Sequence, residues 1–278
     1  LVEQRWRELP AGEGPFDGDN FVVNFLREQV AEAIGGADGL VEVLRDGAES
    51  GFDHLRIARV LYGEGRGEEA LEWIGRGLEG SETDIHDGNL RALAARIHRE
   101  AGRMETAGQM LWRNFEERPG TTAYRELSNG TGEDFPRWRE RAIAVLKDPS
   151  ADEYVHRQDW SDLVSVLLWE GDTEAAWDAA CEGGCRQDLW LEVARERAVD
   201  HPSDALPVLL REAGRSLEGG NRSAYRHAAG ILREARLLAA RIDGLEDFDH
   251  HIRQVRERNR RRPALQDEFT RARLPQGP

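Results

Sequence analysis

The sequence predicts an all-α protein, a row of antiparallel helical hairpins stacked side by side, and three observations predict it. A six-residue motif recurs as GRGEEA from Gly65, GRMETA from Gly102 and GDTEAA from Gly171. Its intervals of 37 and 69 residues sit close to one and two turns of a repeat of about 34 residues, the length of a two-helix unit. Apolar residues elsewhere recur at the three-and-four spacing of one helix face, and no segment shows the period-two alternation of a strand. A lone hairpin cannot bury its apolar face, so such units stabilise one another by stacking.

In chain order, the residues VEQRWREL from Val2 read as a helix, and the chain is expected to be part of a longer protein. From Phe21 to Ile34 the apolar positions Phe21, Val22, Phe25, Leu26, Val30, Ala33 and Ile34 share one face, ended by Gly35 and Gly36. A short helix follows from Leu40 to Ala48 and closes at Ser50 and Gly51. These N-terminal helices, residues 1–50, are expected to lie on the array formed by 51–185, whose units fall near 51–84, 88–119, 121–149 and 157–184.

With the motif alanine set at position 20, the units are similar to tetratricopeptide repeats at positions that did not define the motif. In the first unit, aligned on Ala70, Ala58 stands at position 8, Leu61 at 11, Gly65 at 15, Ile74 at 24 and Gly77 at 27. In the second, aligned on Ala107, Ala95, Gly102, Leu111 and Pro119 take positions 8, 15, 24 and 32; in the third, aligned on Ala176, Trp160, Leu163 and Leu167 take 4, 7 and 11. Small residues at 8, 20 and 27 let two helices approach closely, and glycine at 15 permits a left-handed residue at the corner. The Glu three residues later falls in the next helix's first turn, where its charge suits the helix dipole.

The stretch 121–149 reads as a degenerate hairpin. A helix starts near Thr122, breaks at Asn129 to Gly132, and resumes with Trp138, Ala142, Val145 and Leu146 on one face. Pro149 stops it, and Ser150 with Glu153 forms a capping-box pattern. After Gly183 and Gly184 come longer helices within 186–262, about Gln187 to Val199, Ser203 to Leu217, Arg222 to Ile242 and Leu245 to Arg261. Pro263 is read as the stop, with 263–278 as a tail.

Several segments, EEALEWIGRGLEG from Glu68, FPRWRERAIAVL from Phe135, LLWEGDTEAAWDAACEGGC from Leu167, LWLEVARERAVDHPSDALPV from Leu189 and NRSAYRHAAGILREAR from Asn221, span most of the chain. In that order they resemble the C-terminal helical half of bacterial SWIM zinc finger proteins. The finger itself requires a Cys-x-Cys pair followed by Cys-x-His, and this chain has neither. The resemblance therefore implies a repeat domain that supports or targets a finger located elsewhere, with no zinc or DNA role carried onto these residues.

Composition narrows the function classes. Apolar residues make up 39% of the chain, an ordinary globular proportion, and no run approaches the 18 or so apolar residues of a membrane span. Two cysteines, Cys181 and Cys185, do not make a disulfide framework and suit a reducing cytoplasm. Arginine supplies nearly all the basic charge, Lys147 being the one lysine. A formal net charge of −15 opposes nucleic-acid binding, which draws on neutralised phosphates, and favours protein partners.

No metal or cofactor is expected. Cys181 and Cys185 lack companions to complete a zinc set, since His156 and His201 show no ligand spacing. His250 and His251 diverge by about 100° on a helix. The glycines of GEGRGEE lack the Gly-Lys-Ser/Thr of a phosphate loop, and no HExxH or GxSxG occurs, so the chain is expected to be non-enzymatic. The run RQVRERNRRR from Arg253 to Arg262 carries two readings, a solvated helix surface offset by Glu246, Asp247, Asp249 and Glu257, or a grip on nucleic acid or an acidic partner.

Trp73, Trp112, Trp160 and Trp177 fall at helix-packing positions. The positions expected to face the inner groove of the array supply Arg59, Tyr62, Asn89, Arg96, Arg99 and Trp169, a mixed aromatic and basic strip suited to an extended peptide bearing carboxylates. Self-association through exposed end helices is compatible with this reading.

Overall fold

A computed structural model describes residues 18–79, 85–148 and 159–276. Side chains are described from Asn24 onward. The helix read at VEQRWREL, the positions of the Phe21 and Val22 side chains, Pro149 and the capping-box pair Ser150 and Glu153 lie outside these, as does His156. The described residues are helical throughout, with no strand among them. The chain forms two compact units, Leu1–Ala142 and Ile143–Pro278. The border falls inside the expected 51–185 array, and it falls within a continuous helix, which is why no glycine or proline linker marks it.

The first unit begins with α1 (Gly18–Arg45), interrupted at Gly36, whose φ of 59° and ψ of −149° are non-helical. The Gly35–Gly36 stop read from the sequence is thus a kink between two helical segments. Ser50 opens the next helix, α2 (Gly51–Gly63), through a reciprocal capping box: its hydroxyl accepts from the Asp53 N–H, and the Asp53 carboxylate accepts from the Ser50 N–H. The two orphan donors are satisfied together.

There follow α3 (Gly67–Glu79), α4 (Asp87–Glu100), α5 (Met104–Glu117) and α6 (Thr121–Thr131), then a 3-10 turn at Gly132–Asp134 and α7 (Phe135–Lys147), which runs across the border. Each of α2 to α5 lies against its successor; alternate helices also touch, α2 against α4 and α4 against α6.

The motif residues take the places their chemistry demands. Ala70 and Ala107 are fully buried. Gly65 and Gly102 both have φ of 75°, and the bonds around them are the same. Gly65 N–H donates to the Tyr62 carbonyl and Arg66 N–H to Leu61; Gly102 N–H donates to Arg99 and Arg103 N–H to His98. The second bond of each pair spans six residues, the Schellman closure that satisfies carbonyls at a helix C-terminus. At Gly77 a Cβ would lie 2.9 Å from Leu90 Cδ1, so the third small position is where α3 meets α4. Replacing Ala107 of α5 with leucine is expected to overpack the α4–α5 hairpin and cost about 1–3 kcal/mol, read as a shifted midpoint in urea; an unchanged midpoint would reject the register.

The motif glutamates each reach an arginine of the following hairpin: Glu68 pairs with Arg103 at 2.8 Å, and Glu105 pairs with Arg137. These pairs are partly exposed and hold orientation more than they add stability. Beyond them, aromatics close the unit. Phe115 and Tyr124 are fully buried with ring centroids 6.3 Å apart, and Trp112 stacks on Trp138 at 5.6 Å beneath the Arg141 guanidinium, 4.1 Å from the Trp112 ring. Trp138 lies against Gly108, where a Cβ would come within 2.9 Å of the indole.

In the second unit α8 (Ser161–Glu170), α9 (Thr173–Gly183) and α10 (Gln187–Arg197) lie against one another, followed by α11 (Pro202–Glu218) and α12 (Arg222–Arg241). The third motif copy repeats the corner: Gly171 has φ of 78°, Asp172 N–H donates to the Leu167 carbonyl, Ala176 is fully buried, and Glu174 pairs with Arg197. Asp172 also caps α9 through the Ala175 N–H at 3.1 Å. Trp160, read as a packing position, precedes α8, and a Cβ on Gly183 would fall 2.1 Å from its ring.

The end of the chain corrects two expectations. Residues 263–276 are not a tail: after α13 (Leu245–Arg258), Pro263 begins α14 (Pro263–Arg271), which lies on α12; Leu265 and Phe269 within it and Leu274 just after it are buried. A proline at the first helical position gives up an N–H that has no intrahelical acceptor anyway. Glu268, 3% exposed, accepts from Arg222 Nε at 2.9 Å and Arg271 Nη1 at 2.8 Å. Nor is the arginine run one solvated helix. It turns at Asn259, and Arg256 is buried, donating to Gln266 Oε1 at 2.9 Å with its guanidinium 5.5 Å from the Phe269 ring.

Candidate functional site

The first unit carries two adjoining clefts between α4 and α6, of about 300 and 210 Å3, both lined by Ala92 and Glu126. Small residues are prominent in their lining, Gly88, Ala92 and Ala95 on α4 with Ala123 and Gly130 on α6, beside Leu111 and Asn114 of α5. Gly130 is required there by packing, since a Cβ would lie 2.1 Å from Leu111 Cδ1. Small side chains on both helices let backbone approach backbone and leave the groove open above.

Three of the sequence-predicted strip residues line these clefts. Asn89 is at one end and Arg96 and Arg99 at the other, all exposed on α4. Arg99 Nη1 donates to the Asn129 carbonyl at 3.1 Å, which ties α4 to the last turn of α6 and leaves other guanidinium donors of Arg99 available. Tyr62 stands beside this row: its hydroxyl donates to Glu100 Oε1 at 2.5 Å. That hydrogen bond to a carboxylate, with burial adding to it and Arg96 opposing, pushes the phenol above its ordinary range. Arg59 is exposed on α2 and lines neither cleft. Trp169 belongs to the second unit, on α8, 36% exposed.

Residue spacing along the chain carries no sign of the wall opposite α4 or of the support beside it. Glu126, Thr122 and Asn129 of α6 face the groove. Beneath, buried Arg91 donates through Nε to Asn114 Oδ1 at 2.7 Å and pairs with Glu117, while Asn114 Nδ2 donates to the Gly88 carbonyl at 2.8 Å. An Arg within an otherwise apolar helix face is satisfied here by groups of the next helix, which no spacing rule on α4 alone reveals. The network ties α5 to α4 alongside the clefts.

The rim carries both signs of charge, with Arg96, Arg99 and Arg118 against Glu117 and Glu126, and the groove has no nucleophile–base pair among its lining residues. It offers amide, guanidinium and carboxylate groups among its lining residues. Cys181 is exposed and Cys185 half-buried. Burial first, and then the Asp159 charge, push the Cys185 thiol up to about 12, so it stays protonated at neutral pH. Among the described residues no group of three or more His, Cys, Asp or Glu side chains is placed to hold a metal ion, and none of the helices is long and apolar enough to cross a membrane.

A model of the family described as "Family of unknown function (DUF6880)" matches residues 19–264. The chain belongs to that family. The search of curated proteins found no match.

Proposed function

We propose that this chain is a non-enzymatic, tetratricopeptide-like helical-repeat scaffold that holds a protein partner, acting in the cytoplasm within a larger protein of the SWIM zinc finger type. Support for the repeat reading comes from the three corners at Gly65, Gly102 and Gly171, which share one left-handed conformation and one bonding pattern, and from the buried seams at Ala70, Ala107 and Ala176. Contacts between alternate helices, α2 with α4 and α4 with α6, fit hairpins stacked in one direction.

The observation that carries the binding role is the groove between α4 and α6, lined by small side chains together with amide and charged groups. Its occupant is an extended peptide whose carboxylates meet Arg96 and Arg99. The α4 arginines supply the charge-assisted donors, and the rigid Arg91–Asn114 support reduces the ordering cost of binding. Titrating a library of fluorescently labelled acidic peptides against wild type and Arg96→Ala/Arg99→Ala tests this reading. Loss of about tenfold in affinity, equal to about 1.4 kcal/mol, is expected; equal binding by both proteins removes the groove from consideration.

A further inference from the structure

The charge of this acidic chain is unevenly spread. From Arg222 to Arg273 thirteen arginines stand against eight carboxylates, a net positive stretch covering α12, α13 and α14. Seven of the thirteen have partners: Arg222, Arg226 and Arg271 surround Glu268, Arg236 meets Asp249, Arg260 meets Glu257, Arg241 donates to the Ala198 and Val199 carbonyls, and Arg256 is buried against Gln266.

Of the other six, Arg233 lies on α12, and the remaining five, Arg253, Arg258, Arg261, Arg262 and Arg273, belong to α13, α14 and the turns that follow them. All five are exposed, and none has a carboxylate within 4.0 Å among the described residues. The fold gathers them at one corner. Gln266 Nε2 donates to the carbonyls of Arg256 and Asn259 at 3.0 and 3.2 Å, and Arg256 Nη2 donates to the Leu274 carbonyl at 3.4 Å. Both ends of α14 are thereby returned to the last turn of α13, and Arg273 joins the 258–262 cluster. Arg273 stands at a φ of 57°, a left-handed position at a helix end where glycine is the usual residue. Close by, burial first and then the Arg258 charge hold His251 below the ordinary imidazole value.

We infer that the α13–α14 corner is a surface for the phosphate backbone of duplex nucleic acid. It lacks what other polyanion partners require. No large apolar side chain is exposed between Phe248 and Gln276, so there is no aromatic or aliphatic anchor for a protein hot spot, no stacking platform for a single strand and no wedge for a lipid interface. Unpaired guanidinium groups on a rigid corner recognise phosphate oxygens bidentately and without sequence preference. The −15 charge of the whole chain weakens this attraction and makes it strongly dependent on salt. This surface is independent of the α4–α6 groove, and either reading can fail without the other.

Fluorescence anisotropy of the full chain with a short mixed-sequence DNA duplex, from about 50 to 200 mM salt, tests the inference. With five phosphate contacts the slope of log K against log salt is expected near −4 to −5. In Arg258→Ala/Arg261→Ala/Arg262→Ala the slope should shrink by about 3, with affinity at the lowest salt falling by about tenfold or more. The variant Arg45→Ala/Arg113→Ala/Arg186→Ala removes the same charge elsewhere and should change neither by more than about twofold. Far-UV circular dichroism checks that both variants keep their helices.

Equal binding by wild type and the corner variant overturns the inference, as does equal loss in the control variant or no binding by wild type at the lowest salt. Tighter binding to anionic phospholipid vesicles or to polyglutamate than to the duplex also overturns it, in favour of a lipid or an acidic protein.

Discussion

Replacing Phe269 with alanine is expected to destabilise the second unit by about 3–5 kcal/mol, the range for removing a buried phenyl ring. The ring is fully buried, in the last turn of the nine-residue α14, and the Arg256 guanidinium lies 5.5 Å from its centroid. Its loss opens a cavity between α14 and α12, and it withdraws an aromatic face from an arginine that has given up hydration. In thermal unfolding this corresponds to a drop of roughly 10 to 20 °C for a unit of this size, at about 4 °C per kcal/mol. The neighbouring exposed Thr270→Ala serves as control, with a change within about 0.5 kcal/mol. Should Phe269→Ala lose less than about 1 kcal/mol, α14 would be an appendage and the buried Arg256 would need another explanation.

The same element shows where reading the sequence stops. Pro263 carries two meanings, the end of one helix or the first residue of the next. The choice depends on whether Leu265, Phe269 and Leu274 have something to cover. Their spacing extends over too few residues to establish a period by itself, and α12, which they cover, is visible as a surface only once the chain has folded. Arg256 is hidden for the same reason, because its acceptors come from Gln266 and Leu274, ten and eighteen residues later.

Corners and seams, by contrast, are written locally. A left-handed residue after a helix end strongly favours glycine, and two helices at close approach require alanine or glycine, so GRGEEA and its relatives state their geometry wherever they occur. The candidate groove lies between these cases. Asn89, Arg96 and Arg99 were readable because they share a face of one helix. Glu126 and Asn129 were not, since their place depends on α6 coming to lie beside α4. The border between the units has no local cause to read, falling between Ala142 and Ile143 inside α7.

Substituting alanine at the three corner glycines gives a second large effect. At Gly65, Gly102 and Gly171 a Cβ meets nothing within 4 Å, so the cost is that of the left-handed backbone alone, about 1–2 kcal/mol at each site. The sites lie one per hairpin and share no partner, so their costs should add within about 0.5 kcal/mol per pair. Gly65→Ala/Gly102→Ala in the first unit should therefore lose about 2–4 kcal/mol, and Gly171→Ala should act on the second unit by the same amount as either single substitution. Asparagine at the same positions discriminates between causes. It adds more volume than alanine yet tolerates the left-handed region, so Gly102→Asn should cost less than Gly102→Ala if backbone conformation is what the motif encodes. Urea midpoints and slopes for the single, double and asparagine variants decide the matter. Asparagine proving worse than alanine would mean that space at the corner, rather than its handedness, selects glycine, and the equivalence of the three hairpins would lose its physical basis.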